Sequence, residues 1–214
     1  MSTDVEISNM ALSMIGQSEI SSLAGTDNVS KTCNVHFQQA VDWVLRQREW
    51  KDAVYRAALS TPDGTPAYGW DHYYDQPASC LRVLDVRATQ LEDYAENPDP
   101  WSFERGRIYC NIADGIKVKY LTQLAATSLP SHVVDVVALE LARRICIPIT
   151  QSSKMLDDLN VRMFGVGKED KGVLGEAAAI DGMQGRNMKV RSSNLVKVRM
   201  QGTFLAGPYV YDYR

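Results

Sequence analysis

Between residues 50 and 124 the chain drops the 3.6-residue apolar periodicity that governs both of its flanks. In its place come short runs of β-branched and aromatic residues punctuated by Pro, Gly and Asp, the grammar of strands and turns. The plan is two helices, a strand-rich stretch, three helices and a tail. That order predicts an α+β fold: a helical bundle core with an inserted antiparallel β-rich region and an extended C-terminal arm. The expected boundaries are 1–50 and 128–186 for the helical body, 51–127 for the insertion and 187–214 for the arm. With 214 residues the chain can close one good-sized core, whereas two full domains would be a squeeze.

The helical flanks carry their own start and stop signals. Thr3 and Glu6 are spaced as a capping box for a helix over 4–15, and Gly16 is placed to end it. Its buried stripe is Ile7, Met10, Ala11, Met14 and Ile15. Asp27 or Asn28 can cap a second helix running to about Arg48, with Cys33, Phe37, Ala40, Val41, Val44 and Leu45 as its apolar face. After Pro130 and Ser131, apolar residues from Val133 to Ile145 are so dense that this helix should be buried on most sides. Pro148 is expected to break or kink it. Two more helical segments, 152–164 and 168–180, are separated by the glycines of Gly165-Val166-Gly167.

Inside the insertion, strands are expected near 53–60 and 81–86, with a hairpin over 107–120 turning at Ala113, Asp114 and Gly115. The Asp-Gly pair suits the positive φ angles of a tight hairpin. Two surface loops should lie between the strands: 68–75, rich in aromatics, and 92–104, which holds Glu92, Asp93, Glu96, Asp99 and Glu104 without a basic residue.

Charge and composition exclude several classes of function. A net charge of −3 argues against whole-molecule attraction to nucleic acid, which depends on Lys and Arg neutralising phosphates. The average conceals a basic end, however: Arg186, Lys189, Arg191, Lys197, Arg199 and Arg214 face only Asp212 after residue 181. A basic end on an acidic body suits an acidic partner, either another protein or a neighbouring copy. Cys33, Cys80, Cys110 and Cys146 lie far apart without a CxxC pair, so they read as small buried residues and signal neither zinc nor a redox dithiol. No apolar run approaches the roughly 20 residues of a membrane span, and the N-terminus lacks the segments of a signal peptide. The expectation is a protein made and kept in the cytoplasm or in a particle assembled there.

Motifs that could carry chemistry are weak. Gly25-Thr26-Asp27-Asn28-Val29-Ser30-Lys31-Thr32 matches a phosphate-binding loop except that Ser30 stands where the second glycine belongs, and the polar 19–24 precedes it in place of a buried strand. Helix capping by Asp27 and Ser30 is the better reading. Among the histidines, His36 and His132 lie on helices, where packed or surface roles are the default. Only His72, with Asp71, Asp75, Trp70, Tyr73 and Tyr74 around it, resembles a site, and no nucleophile signature accompanies it. A helix-turn-helix reading of the first two helices fails on charge, since the second offers the groove only Lys31, Arg46 and Arg48.

The order of segments is more telling than any one of them. VEISNMALSMIGQSEISSLAGTD is followed by a long helix ending in LRQREWKDA, then YGWDHYYDQPASCLRVLDV, RIYCNIADGIKVKYLTQL and VVALELARRICIPIT. This series resembles the tail tubular protein A and head-to-tail adaptor (connector) group of tailed bacteriophages, over roughly residues 5–185. The resemblance implies a non-enzymatic virion protein, without cofactor, that forms a dodecameric ring between the portal and the tail nozzle or next tail ring. Tail fibres are a further partner class, and DNA passes through the lumen without specific binding. The residues expected to hold partners are aromatics and cations away from helix stripes: Tyr68, Trp70, Tyr73 and Tyr74 in the loop, and Arg191, Arg199, Phe204, Tyr209, Tyr211 and Arg214 in the arm. The alternative is a small DNA-binding regulator or packaging factor.

Overall fold

Local signals at the N-terminus act as their spacing predicts. In the computed structural model, which describes residues 2–88, 100–167 and 170–184, helix α1 (Asp4–Met14) opens with a complete capping box. Glu6 donates its amide to Thr3 Oγ1 at 3.2 Å, and Thr3 donates its own to Glu6 Oε2 at 2.8 Å. Two amides that the helix itself cannot satisfy are thereby paired. The Asn9 side chain then pins the following loop, accepting from the Ile20 amide at 2.9 Å and donating to the Ile20 carbonyl at 3.0 Å. Helix α2 (Asn28–Gln47) starts at Asp27, whose carboxylate accepts from the Ser30 amide at 2.9 Å. The near-match to a phosphate-binding loop is therefore a helix cap, and Ser30 is buried beneath it. All six expected apolar positions of α2 are buried.

Helix α3 (Ser131–Thr150) is the axis of the body and touches each of the other four helices. Its burial on nearly every side follows from the density of Val, Leu, Ala and Ile along it. Pro148 does not end it: the helix continues to Thr150 and stops where Gln151 turns left-handed at φ 53°. Helix α4 (Ser153–Phe164) follows at once, and Gly165 closes it with φ 77°. Helix α5 (Gly172–Met183) begins later than its expected start at 168. The Asp170 carboxylate accepts from the Gly172 amide at 3.0 Å and from the Val166 amide at 3.2 Å, so it fastens the loop and sets the start of α5.

Among the described residues the insertion forms two three-stranded antiparallel sheets. One has the order β1 (Val54–Leu59), β6 (Ile116–Thr122), β3 (Cys80–Ala88); the other has β2 (His72–Asp75), β5 (Arg107–Cys110), β4 (Trp101–Glu104). Tyr74, Ile108 and Cys110 of the second sheet meet Val83, Val86, Ile116, Val118 and Tyr120 of the first in a small core of their own.

This arrangement corrects the expected hairpin over 107–120, because β5 and β6 belong to different sheets and do not pair. Asp114-Gly115 lies in a crossing between sheets. Gly115 is required there for two reasons: φ is 90°, and a Cβ would sit 2.8 Å from the Leu59 carbonyl oxygen. The tight hairpin is instead β4–β5, whose two-residue turn, Arg105 at φ 50° and Gly106 at φ 75°, has the left-handed pair that favours a type I′ turn. The expected loops 68–75 and 92–104 are corrected in part, since they contribute β2 and β4; residues 89–99 lie outside the described set.

The larger core joins the helices to the first sheet. Two irregularities in the β3–β6 register skip Leu81 and Leu84, and both side chains rest on the helical core, whereas Val83 and Val86 serve the sheet-to-sheet core. The bulges let one strand feed two cores. Trp50 closes the junction, 1% exposed, donating its indole N–H to the Val44 carbonyl at 2.8 Å.

Candidate partner-binding surface

The aromatic residues singled out in 68–74 sort into three environments. Tyr68 stands at the loop tip with 89% of its surface exposed, beside Gly69 at φ 89°. Trp70 is half-buried. Tyr73 is half-buried as well, with the Arg107 guanidinium 4.4 Å from its ring centroid and Tyr109 tilted against it at 6.0 Å. Tyr74 has no exposed surface: its ring fills the sheet-to-sheet core and its hydroxyl donates to the Ile112 carbonyl at 2.9 Å. The assignment of Tyr74 to the partner-facing surface is thus corrected, because strand alternation turns it inward next to the half-buried Tyr73. Burial also raises the Tyr74 phenol above its ordinary pKa.

The loop is braced at its base. The Asp63 amide donates to the Tyr73 carbonyl and the Tyr73 amide to the Gly64 carbonyl, both at 2.9 Å. Asp63 also accepts from the Asp75 amide at 2.7 Å, and Asn111 accepts from the Asp71 amide at 3.0 Å. Arg107, over Tyr73, is paired with Asp75 at 3.1 Å. An aromatic side chain held outward on a fastened loop loses little further freedom on contact.

His72 lies at the start of β2. It pairs with Cys110 in the β2–β5 ladder, and among the described residues no group of three ligating side chains includes it. Cys33, Cys110 and Cys146 are buried and Cys80 half-buried. Burial pushes the Cys33 thiol up to about 11 and raises Cys80 too, which suppresses the thiolate form a nucleophile needs.

A second exposed apolar group escaped the sequence reading. Val161, Phe164, Val166, Ile180 and Met183 project from α4, α5 and the loop between them, Met183 with 81% of its surface exposed. The expected helical segments 152–164 and 168–180 took in Val161, Phe164 and Ile180 but neither Val166 nor Met183, and only the packed structure separates the covered face of each helix from the open one. Arg191, Arg199, Phe204, Tyr209, Tyr211 and Arg214 lie outside the described residues. No helix among the described residues is long and apolar enough to cross a membrane. No model of a known protein family matches the sequence, and a search of curated proteins finds no match.

Proposed function

We propose that the chain is a structural subunit of the head-to-tail connector of a tailed bacteriophage, a virion protein that closes into a dodecameric ring between the portal and the tail nozzle or next tail ring. The single observation that carries this reading is the ordered series of segments from 5 to 185 that resembles the adaptor group. Two features of the surface agree with it. The braced loop presents Tyr68 outward, and α4 and α5 present a separate apolar set. Rings close by heterologous contacts, in which one patch meets a different patch on the next copy. Two dissimilar exposed patches are what such a contact requires, and a stable one buries on the order of 1,200 Å² or more.

In this reading the protein turns over no substrate, and the acidic body lets DNA slide through the lumen without holding its phosphates. The test is to mix the purified protein with portal rings and image the product. Added density with the rotational symmetry of the portal is expected. A protein that stays off the portal and instead retains DNA in a salt-sensitive way would overturn the proposal in favour of a DNA-binding regulator or packaging factor.

A further inference from the structure

The junction between α5, the first turn of α3 and the turn after α2 holds three groups that the connector role leaves unused. His132, 8% exposed, lies on α3 with its ring tilted against Trp50 at 6.0 Å, and its buried Nε2 has no hydrogen-bond partner among the described residues. Asp181, 6% exposed, lies near the end of α5 with Oδ1 4.0 Å from that nitrogen. Asp52, exposed, comes from the 3-10 turn Lys51–Ala53. One ligating atom from each of the three lies within 4.8 Å of the other two.

We propose that His132, Asp181 and Asp52 bind a first-row divalent cation of the zinc or manganese class. The 4.0 Å between Nε2 and Oδ1 is too long for a hydrogen bond, and an inward shift of about 0.6 Å would bring the two atoms to the separation that a tetrahedral ion bonded to each at about 2.0–2.2 Å sets. Buried polar groups in native proteins are nearly always satisfied, so an orphaned imidazole nitrogen facing a buried carboxylate calls for an occupant. The neighbouring cation does not supply it. Lys51 Nζ is engaged by the main-chain carbonyls of Asp181 at 2.6 Å and Gly182 at 3.1 Å, while among the described residues the Asp181 carboxylate receives only the Lys51 amide, at 3.0 Å.

One imidazole nitrogen with two carboxylates is a donor set for Zn²⁺, Mn²⁺ or Co²⁺, whereas Mg²⁺ prefers oxygen alone. Water completes the coordination shell, and Asp52 at the surface provides the entry path. The bound ion would fasten α3, α5 and the Lys51–Ala53 turn to one another at the end of α5.

The test uses the full chain, stripped with chelator and titrated with Zn²⁺, Mn²⁺ and Mg²⁺ by calorimetry and thermal unfolding. One Zn²⁺ or Mn²⁺ per chain is expected, with a rise of several degrees in Tm once free ion is well above Kd, and a markedly weaker response to Mg²⁺. Co²⁺ should give visible d–d bands without thiolate charge transfer, which separates this site from the buried cysteines. Asp52→Ala, at an exposed position, should keep the fold and weaken binding about tenfold or more; His132→Gln should do the same where it folds. Absence of binding, equal response to Mg²⁺, or Zn²⁺ affinity unchanged in Asp52→Ala would each overturn the site and leave a bridging water as the occupant. None of these outcomes bears on ring assembly.

Discussion

The helical body and the β-rich insertion hold their residues in place by different means. In the body, one helix with apolar residues on nearly every side gathers four others, and each contact follows from a stripe that repeats along a single helix. In the insertion, among the described residues, only β4 and β5 are partners next door in sequence; β1 meets β6 across more than half the insertion. The body is organised by local order and the insertion by closure at a distance. Yet β3 and β6 feed both cores, the larger of which also holds Trp50, and this ties their stabilities together.

Trp50→Ala tests that tie most severely. Removing a buried indole that is hydrogen-bonded to Val44 is expected to cost about 3–5 kcal/mol, with the helical circular dichroism and the near-ultraviolet signal of the insertion lost at the same urea concentration. Two separated transitions would show instead that the two regions unfold independently.

The same contrast explains what could be read in the amino acids. The capping box of Thr3 and Glu6 and the six-residue stripe of α2 are local, so spacing alone suffices. Asp114-Gly115 carries the residue types of a hairpin turn, but those types ask only for positive φ, and a sheet-to-sheet crossing asks for the same. Arg105-Gly106 hides the true turn because arginine is a poor advertisement for a left-handed position. Leu81 and Leu84 look like ordinary strand residues until the partner strand shows that the register skips them. His132 and Asp181 are brought together by helix packing, which no spacing encodes.

Glycine substitutions sharpen the comparison at the next level of effect. Gly16 after α1 and Gly115 in the crossing both have positive φ, at 69° and 90°. Nothing lies within 4 Å of a Cβ at Gly16, whereas Gly115 meets the backbone of Leu59 and Ser60. Gly16→Ala is expected to cost about 1 kcal/mol from the dihedral alone, and Gly115→Ala about 2–3 kcal/mol from dihedral and clash together. Equal losses in urea unfolding would deny the crossing its tight packing.

Single hydrogen bonds give smaller effects still. Tyr74→Phe keeps the ring in the sheet-to-sheet core but leaves the Ile112 carbonyl without its donor, an expected loss of about 1–2 kcal/mol. At the start of α2 the Asp27 carboxyl is held below its ordinary pKa, chiefly by the Ser30 amide. Its folded value is below its unfolded one, so its stabilisation is present above the usual carboxylate range and fades as pH falls through the folded value. Asp27→Asn keeps a capping side chain without that titration, so the Tm difference between the two proteins should shrink on acidification. A difference that stays constant with pH would assign the effect to the cap's geometry alone.

Tyr68→Ser should leave stability almost untouched, because the ring has 89% of its surface in solvent and contributes nothing to either core. Its loop is fastened through the backbone of Asp63, Gly64 and Tyr73, none of which the substitution alters. If the braced loop exists to meet another chain, the loss will appear only on assembly: unchanged urea unfolding, with weaker capture by portal rings or fewer closed rings in images. An aromatic side chain seated at an interface centre commonly accounts for about 2 kcal/mol or more of binding, enough to reduce capture more than tenfold. Combining Tyr68→Ser with Met183→Ser then separates the two patches. If they meet each other across one ring contact, the double variant will be little worse than the more damaging single; if they serve different neighbours, the two losses will add.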